Sequence, residues 1–211
     1  MKTKMLTLAV AAFSLLACNN ESMKPQAGYV GPADLKIEDG RMSPEVLLSL
    51  GRLSDPQLSP DGKIVLYGVS YTSIAENRSV RNLFTIPVEG GSPTQLTMDG
   101  KSISNARWSP DGAWIFFLQG GQVWKAPYKA GRLGKRIQVT DVAKGIDEFA
   151  LSPDAAQLMY VSTVHSAVER PVDTDPLLDK ADAYATEDLM YRHWDHWVED
   201  INHTLDRKSV V

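Results

Sequence analysis

Three copies of one stretch decide the fold: Leu58-Ser-Pro-Asp-Gly-Lys-Ile-Val-Leu-Tyr67, Trp108-Ser-Pro-Asp-Gly-Ala-Trp-Ile-Phe-Phe117 and the weaker Leu151-Ser-Pro-Asp-Ala-Ala-Gln-Leu-Met-Tyr160. In each copy the proline fixes φ at the start of a turn, and the aspartate can bond to nearby backbone. The glycine of the first two copies accepts a left-handed conformation, whereas Ala155 takes its place in the third and leaves that geometry open. An apolar run follows every turn, so each copy predicts a turn that leads into a strand.

The spacing of these copies predicts how the strands are organised. Their serines, Ser59, Ser109 and Ser152, lie 50 and 43 residues apart, and four-stranded propeller blades repeat at roughly 40–50 residues. The runs after the turns have consecutive apolar residues, which suits strands covered on both faces. Blades that stack on their neighbours meet that condition. An antiparallel sandwich with coincidental turns is the alternative.

The second half of each unit repeats as well. Strand-like runs at 82–88 and 122–128 are each followed by a glycine-containing loop and a short strand that finishes in Thr97 or Thr140. We therefore predict an all-β fold, a partial β-propeller of about three four-stranded blades preceded by a signal segment and a short helix. The predicted fragment covers 41–205, with blades at about 53–97, 104–140 and 147–205.

The first residues predict a signal peptide over 1–17. Two lysines precede a 13-residue apolar run, shorter than the roughly 20 residues of a membrane-spanning helix. The run ends in Leu15-Leu16-Ala17-Cys18, which resembles the lipobox of bacterial lipoproteins, whose cysteine is lipidated and becomes the new N-terminus. Cys18 is therefore the predicted lipidation site, and the membrane is the partner of its lipid. An ordinary secretory signal with a chance cysteine is the alternative.

Residues 18–40 are predicted to be a lipid-anchored polar linker, because they are rich in proline and glycine. A short helix follows, since Ser43 can cap it, Pro44 suits its first position and Gly51 can close it. Together with the lipid, this arrangement predicts a protein of the bacterial cell envelope, periplasmic or associated with the outer membrane.

Composition and charge exclude several classes of function. Of the 211 residues, 43% are hydrophobic and 23% are charged, which is typical of a globular protein. A net charge of −4 gives no basic field, so no nucleic acid partner is predicted. A single cysteine forms neither an internal disulfide nor a zinc cage of several thiolates. We predict no cofactor.

The run from Met42 to Gly62, Met-Ser-Pro-Glu-Val-Leu-Leu-Ser-Leu-Gly-Arg-Leu-Ser-Asp-Pro-Gln-Leu-Ser-Pro-Asp-Gly, resembles the start of the propeller domain in the prolyl oligopeptidase family. It is most similar to the bacterial dipeptidyl-peptidase and acylaminoacyl-peptidase branch, and the likeness covers about 42–165. The resemblance implies a serine peptidase in which the propeller gates access to an α/β-hydrolase domain, so that only short peptides are substrates.

This chain holds no Gly-x-Ser-x-Gly nucleophile motif. No catalytic residue is therefore assigned, and the hydrolase domain with its triad is expected to lie outside the 211 residues. The chain alone is expected to hydrolyse nothing. The alternative function is a lipid-anchored propeller that only binds or senses.

The stretch between 168 and 200 interrupts the repeat. We predict a helical insertion over about 176–197, in which three aromatic residues, Tyr191, Trp194 and Trp197, form a packed face. A metal site or a substrate contact remain as alternatives for three nearby histidines, namely His193, His196 and His203. Residues 206–211 continue no blade pattern and are predicted to be a non-native tail on a gene product truncated near residue 205.

Overall fold

The computed structural model describes residues 24–35, 37, 40–165, 175–180, 191–193, 196–198 and 201–210. Within these ranges the chain consists almost wholly of antiparallel strands, which form three successive sheets and one separate two-stranded hairpin. The prediction of an all-β partial propeller of about three blades is confirmed.

The elements follow the repeat. Helix α1 (Pro44–Ser49) precedes blade 1, whose strands are β1 (Arg52–Leu58), β2 (Ile64–Ser73), β3 (Arg78–Pro87) and β4 (Thr94–Gln95). Blade 2 contains β5 (Ser104–Trp108), β6 (Trp114–Gln119) and β7 (Gln122–Lys129), with the short strands β8 (Arg132–Leu133) and β9 (Ile137–Gln138) both paired to β7. Blade 3 contains β10 (Glu148–Leu151), β11 (Gln157–His165) and β14 (Ile201–Ser209), and the separate hairpin is β12 (Tyr191–His193) with β13 (His196–Val198).

One set of hydrogen bonds closes all three turns. In the first, the Ser59 hydroxyl donates to Asp61 Oδ1 (2.7 Å) and accepts from the Ile64 amide (2.9 Å). Asp61 Oδ1 also accepts from the amide of the residue two positions on, at 3.2 Å. Ser109 and Ser152 make the equivalent bonds in the other two turns. The repeated residues therefore build the same hairpin entrance three times.

The third turn keeps the geometry of the other two although it lacks the glycine. The Ala155 amide donates to the Ser152 carbonyl at 2.8 Å, and the Gly62 amide makes the same bond at 2.9 Å in the first turn. Ala155 has a φ of 54°, against 71° for Gly62. Ala155 therefore has left-handed backbone, which is strained for any residue with a side chain.

Blade 2 is packed on both faces. The four apolar residues 115–118 of β6 are all buried, with exposures of 0%, 3%, 0% and 5%. Ile115 and Phe117 join one core cluster with Leu66 and Leu83 of blade 1, whereas the two residues that alternate with them join a second cluster with residues of blade 3. Side chains alternate between the faces of a strand, so the consecutive apolar residues have the predicted origin.

The repeated threonines lie where the short outer strands of blades 1 and 2 stop. Thr97 and Thr140 are each 1% exposed. Their hydroxyl oxygens accept from the amides of Leu83 (3.0 Å) and Val123 (2.9 Å). Each hydroxyl replaces a carbonyl of the strand ladder where the outer strand stops, so that a buried amide keeps its partner.

Part of the predicted linker is packed against blade 1. Val30 is 6% exposed, and its carbonyl accepts from Asn82 Nδ2 at 3.0 Å. The Gln26 amide donates to the Met98 carbonyl at 2.9 Å, and the Tyr29 hydroxyl bonds to the Gln95 side chain at 3.2 Å. Residues 24–31, called the strap below, are therefore part of the folded unit rather than linker, because an apolar residue and backbone groups find partners on the blade.

Helix α1 begins as predicted and ends differently. Ser43 accepts from the Val46 amide at 3.3 Å, and Pro44 is the first helical residue. Leu50, with extended backbone, is the C-terminal cap, and Gly51 lacks the left-handed backbone of a glycine that closes a helix, so the prediction that Gly51 closes the helix is wrong. Gly51 instead permits close packing, since a Cβ there would lie 2.9 Å from Val69 Cγ1.

The predicted tail is half of a strand. β14 pairs with β11 along its whole length, from Gln157 opposite Ser209 to His165 opposite Ile201. The Val210 amide donates to the Ala156 carbonyl at 2.8 Å, as the third strands of blades 1 and 2 do at the equivalent places. The expectation that 206–211 continues no blade is therefore wrong for 206–210, because the free edge of β11 offers partners to any extended segment. That these residues are non-native stays a prediction.

The predicted helical insertion is wrong where the structure describes it. Pro176–Leu178 form a single 3-10 turn, and Tyr191–His193 and His196–Val198 are paired strands. Aromatic and β-branched residues favour strands. The short spacing of the aromatic residues, which predicted one face of a helix, is equally compatible with the two strands of a hairpin. Residues 181–190, 194 and 195 lie outside the described residues.

We expect Ala155→Gly to stabilise the chain by about 0.5–1 kcal/mol, because glycine removes the left-handed strain at the cost of some backbone entropy. Chemical denaturation of the protein measures the change. Gly62→Ala is the matched control and should destabilise by a similar amount, since a Cβ at Gly62 would meet no atom within 4 Å and adds strain alone. Loss of stability in Ala155→Gly would contradict this account of the third turn.

Candidate functional site

The residues singled out by the sequence fall in different parts of the molecule. Cys18 lies outside the described residues, so its lipidation stays a prediction. His193 and His196 are opposite each other in the β12–β13 hairpin, whereas His203 lies in β14 opposite Thr163. In the described ranges no three metal-binding side chains come together. The side chains of the three histidines lie outside what the structure describes, so the metal and substrate-contact hypotheses stay predictions.

The first strands of the three sheets lie next to one another. β1 contacts β5, and β5 contacts β10, while the short strands β4 and β9 lie at the opposite edges of their sheets. In a propeller, the strand of each blade that is nearest the axis lines the central channel. We call β1, β5 and β10 the inner strands and take them as the candidate functional surface.

Two inner strands carry the same irregularity. Asp55 and Asn105 each lie four residues before the serine of their turn and have left-handed backbone, with φ of 52° and 48°. The register of the ladder shifts at both places. Each is thus a β-bulge, a feature that re-aims a side chain.

Each bulge residue binds the inner strand of the following blade. The Asp55 carboxylate accepts two hydrogen bonds from Arg107 Nη1, at 2.9 and 2.7 Å, and both side chains are less than one-third exposed. Asn105 Nδ2 donates to the Phe149 carbonyl at 2.9 Å. These bonds tie the inner strands of neighbouring blades to one another.

A pattern in the sequence marks these residues, although the predictions above do not include them. Asp55 and Asn105 stand at the same offset in the repeat, and aspartate and asparagine adopt the left-handed conformation more readily than other residues with side chains. Glu148 has the same offset in blade 3. It is exposed and lies in regular register opposite Val161.

Consecutive turns face each other across two clefts. The first is lined by Pro60 and Asp61 of blade 1 and by Trp108 and Tyr128 of blade 2, whose rings meet edge to face with centroids 4.9 Å apart. The second holds Lys125 Nζ, 5.4 Å from the centre of the Trp114 ring. The clefts offer aromatic walls and charged groups that can bind polar ligands.

The turn aspartates are held in their charged form. For Asp61, Asp111 and Asp154, the hydrogen bond from the neighbouring serine hydroxyl and then a backbone amide lower the pKa of the carboxyl below its usual value. The carboxylates thus keep their charge at pH values where an ordinary aspartate begins to take up protons.

Comparison with known proteins indicates which kind of protein this chain is similar to. No family model matches the chain. Dipeptidyl-peptidase 5 of Porphyromonas endodontalis is 35% identical over 183 residues, and that of Porphyromonas gingivalis is 33% identical over 196 residues. These matches cover 85% and 90% of this chain but only 26% and 27% of the relatives. The chain therefore spans about a quarter of their length.

A solved structure shows the same fold. The uncomplexed acylaminoacyl peptidase of Pyrococcus horikoshii superposes with a TM-score of 0.55 at 17% identity, over 76% of this chain and 23% of that one. Fold and relatives together define the class, the β-propeller portion of a peptidase. The chain is similar to the N-terminal, β-propeller part of peptidases of the prolyl oligopeptidase family.

A double-mutant cycle tests the tie between the first two inner strands. With Asp55→Asn and Arg107→Gln, we expect a coupling free energy of unfolding near 1 kcal/mol, at the upper end for partly exposed pairs. The matched cycle on Glu76 and Arg78, whose side chains are more exposed, should give less than half of that. Equal coupling energies in the two cycles would mean that Asp55 does not fix the blades.

The serine hydroxyl sets the charge state of the turn. In Ser109→Ala we expect the pKa of Asp111 to rise toward its ordinary value, as followed by carboxyl NMR shifts with pH. Because the folded pKa is depressed, the stabilisation from this carboxylate is present above the unfolded pKa and lost as the pH falls through the folded one. The variant should therefore lose less stability on acidification. Ser92→Ala, at an exposed serine, is the control, and an equal effect there contradicts the assignment.

Proposed function

We propose that this chain is the N-terminal propeller fragment of a cell-envelope serine peptidase that cleaves short peptides, and that the propeller limits which substrates reach the catalytic centre. The observation that carries the proposal is the 33–35% identity to two dipeptidyl-peptidases over 85–90% of the chain. Since both relatives are named dipeptidyl-peptidase, we infer that the protein releases dipeptides.

The geometry supports the limiting role. Inner strands tied side to side by Asp55–Arg107 and Asn105–Phe149 make a wall around an axis, and a closed ring of blades leaves a central channel. Such a channel admits an extended peptide more readily than a folded protein. The ties keep the wall from opening between blades 1, 2 and 3.

The chemistry of bond cleavage is assigned to a hydrolase domain outside these 211 residues. A serine on a strand-to-helix turn gives its proton to a histidine, which an acidic residue orients, and attacks the peptide carbonyl. The C–N bond then breaks, the amine leaves with that proton, and water hydrolyses the acyl-enzyme. The residues of this chain bind and restrict, and take no part in that covalent step.

Membrane attachment is proposed through lipid on Cys18. The support is the sequence Leu15-Leu16-Ala17-Cys18 after an apolar run and two lysines. Acyl chains contribute about 0.8 kcal/mol per buried CH₂, so several on one residue anchor a protein stably. In the part of the chain that the structure describes, no helix is long and apolar enough to cross a bilayer.

The complete open reading frame tests the enzymatic proposal. Its product should contain Gly-x-Ser-x-Gly downstream of the propeller, release dipeptides from short fluorogenic peptides, and lose this activity on treatment with a serine-reactive phosphonate. The same peptide sequence inside a folded protein should be cleaved far more slowly. A frame that ends after its last blade would instead support a propeller that only binds.

Lipidation is tested by Cys18→Ser. Cells expressing the original protein and fed labelled palmitate should show label on this protein in the membrane fraction, because the acylated cysteine is its anchor. The variant should carry no label and leave that fraction. Label that persists in Cys18→Ser would contradict the assignment.

A further inference from the structure

The strap is held to blade 1 by close backbone contact. A Cβ at Gly100 would lie 2.4 Å from the carbonyl carbon of Gly28 and 2.5 Å from its oxygen, so only glycine fits there. The Gly28 carbonyl also accepts from Arg78 Nη2, and the Gln26 amide donates to the Met98 carbonyl. The strap is thus seated against the loop 98–101 and the start of β3.

Burial adds to this seat. Val30 is 6% exposed and its carbonyl bonds to Asn82, which is 0% exposed. Pulling the strap away would expose the valine and break the hydrogen bond that the Asn82 amide group makes. The strap therefore stays in place in the folded protein.

Because the strap is bound to blade 1, only a short free chain connects it to the proposed lipid. From Cys18 to Gln26, the first strap residue with a backbone bond to the blade, there are eight residue steps, which span at most about 28 Å. A linker that ran free to Gly40 would reach about 75 Å. We propose that the strap acts as a short leash, which holds the corner of blade 1 formed by 98–101 and Arg78 against the lipid surface. The inference rests on the proposed lipidation of Cys18.

The charges at this corner suit an anionic bilayer. Lys24 and Lys101 are exposed. Two carboxylates of this region have basic partners, since Glu76 pairs with Arg78 and Asp99 with Arg136, both at 2.5 Å. A basic side chain near an anionic membrane surface is attracted to it. These six side chains together carry a charge of +2, although the whole chain carries −4.

The test measures which end of blade 1 lies nearer the bilayer. Cys18 is the only cysteine of these 211 residues and is consumed by the lipid, so in this chain a cysteine introduced at Lys101→Cys carries a fluorophore at one defined position. Lys63→Cys is the matched control, an exposed lysine directly before β2 and about 20 Å away along the strand. The lipidated chain of residues 18–211 is placed in vesicles of phosphatidylethanolamine and phosphatidylglycerol with a spin-labelled headgroup.

We expect quenching at position 101 to exceed that at 63 by about twofold or more, since the leash keeps 101 within reach of the lipid. A long Gly-Ser insertion between residues 22 and 23 should abolish the difference. Equal quenching without the insertion, on protein whose N-terminal peptide carries lipid by mass spectrometry, overturns the leash alone. A peptide without lipid, and a protein that stays off the vesicles, overturn the lipid anchor and the leash together.

Discussion

A serine hydroxyl that serves two partners underlies the architecture. In each turn it donates to the aspartate two residues on and accepts from the amide five residues on, which joins the first strand of a blade to its second. The first strands of the blades also lie side by side at the axis. The hydrogen bonds of the turn hold the second strand against the first, and so orient each sheet relative to the axis. Successive sheets stack because each has the same orientation. This stacking buries residues 115–118 on both faces of their strand.

The axis gives this architecture its functional meaning. Asp55 and Asn105 are displaced by bulges and bind the next inner strand, so that neighbouring blades are tied where a channel wall is needed. Closed propellers gain stability from each blade packing on two others. Here only blade 2 has both neighbours within the described residues, which agrees with a chain that spans about a quarter of its relatives.

The sequence was most informative where local chemistry alone decides the structure. The turns, the strands after them, the threonine ends and the start of α1 all depend on residues within one blade or one helical turn, and their pattern predicted them. The strap, the bulges and β14 depend on partners far along the chain: Val30 needs Asn82, Asp55 needs Arg107, and β14 needs the free edge of β11. Composition predicted that the strap is linker. Proline and glycine are common in free linkers, but they also suit a chain that packs closely on another backbone.

The sandwiching of blade 2 is tested most directly by nuclear Overhauser effects in protein with labelled phenylalanine rings and leucine methyls. The account predicts that the ring of Phe117 is close to leucine methyls of blade 1 and that the ring of Phe116 is close to leucine methyls of blade 3. Contacts of both rings with leucines of the same sheet would contradict the stacking of successive blades and with it the propeller.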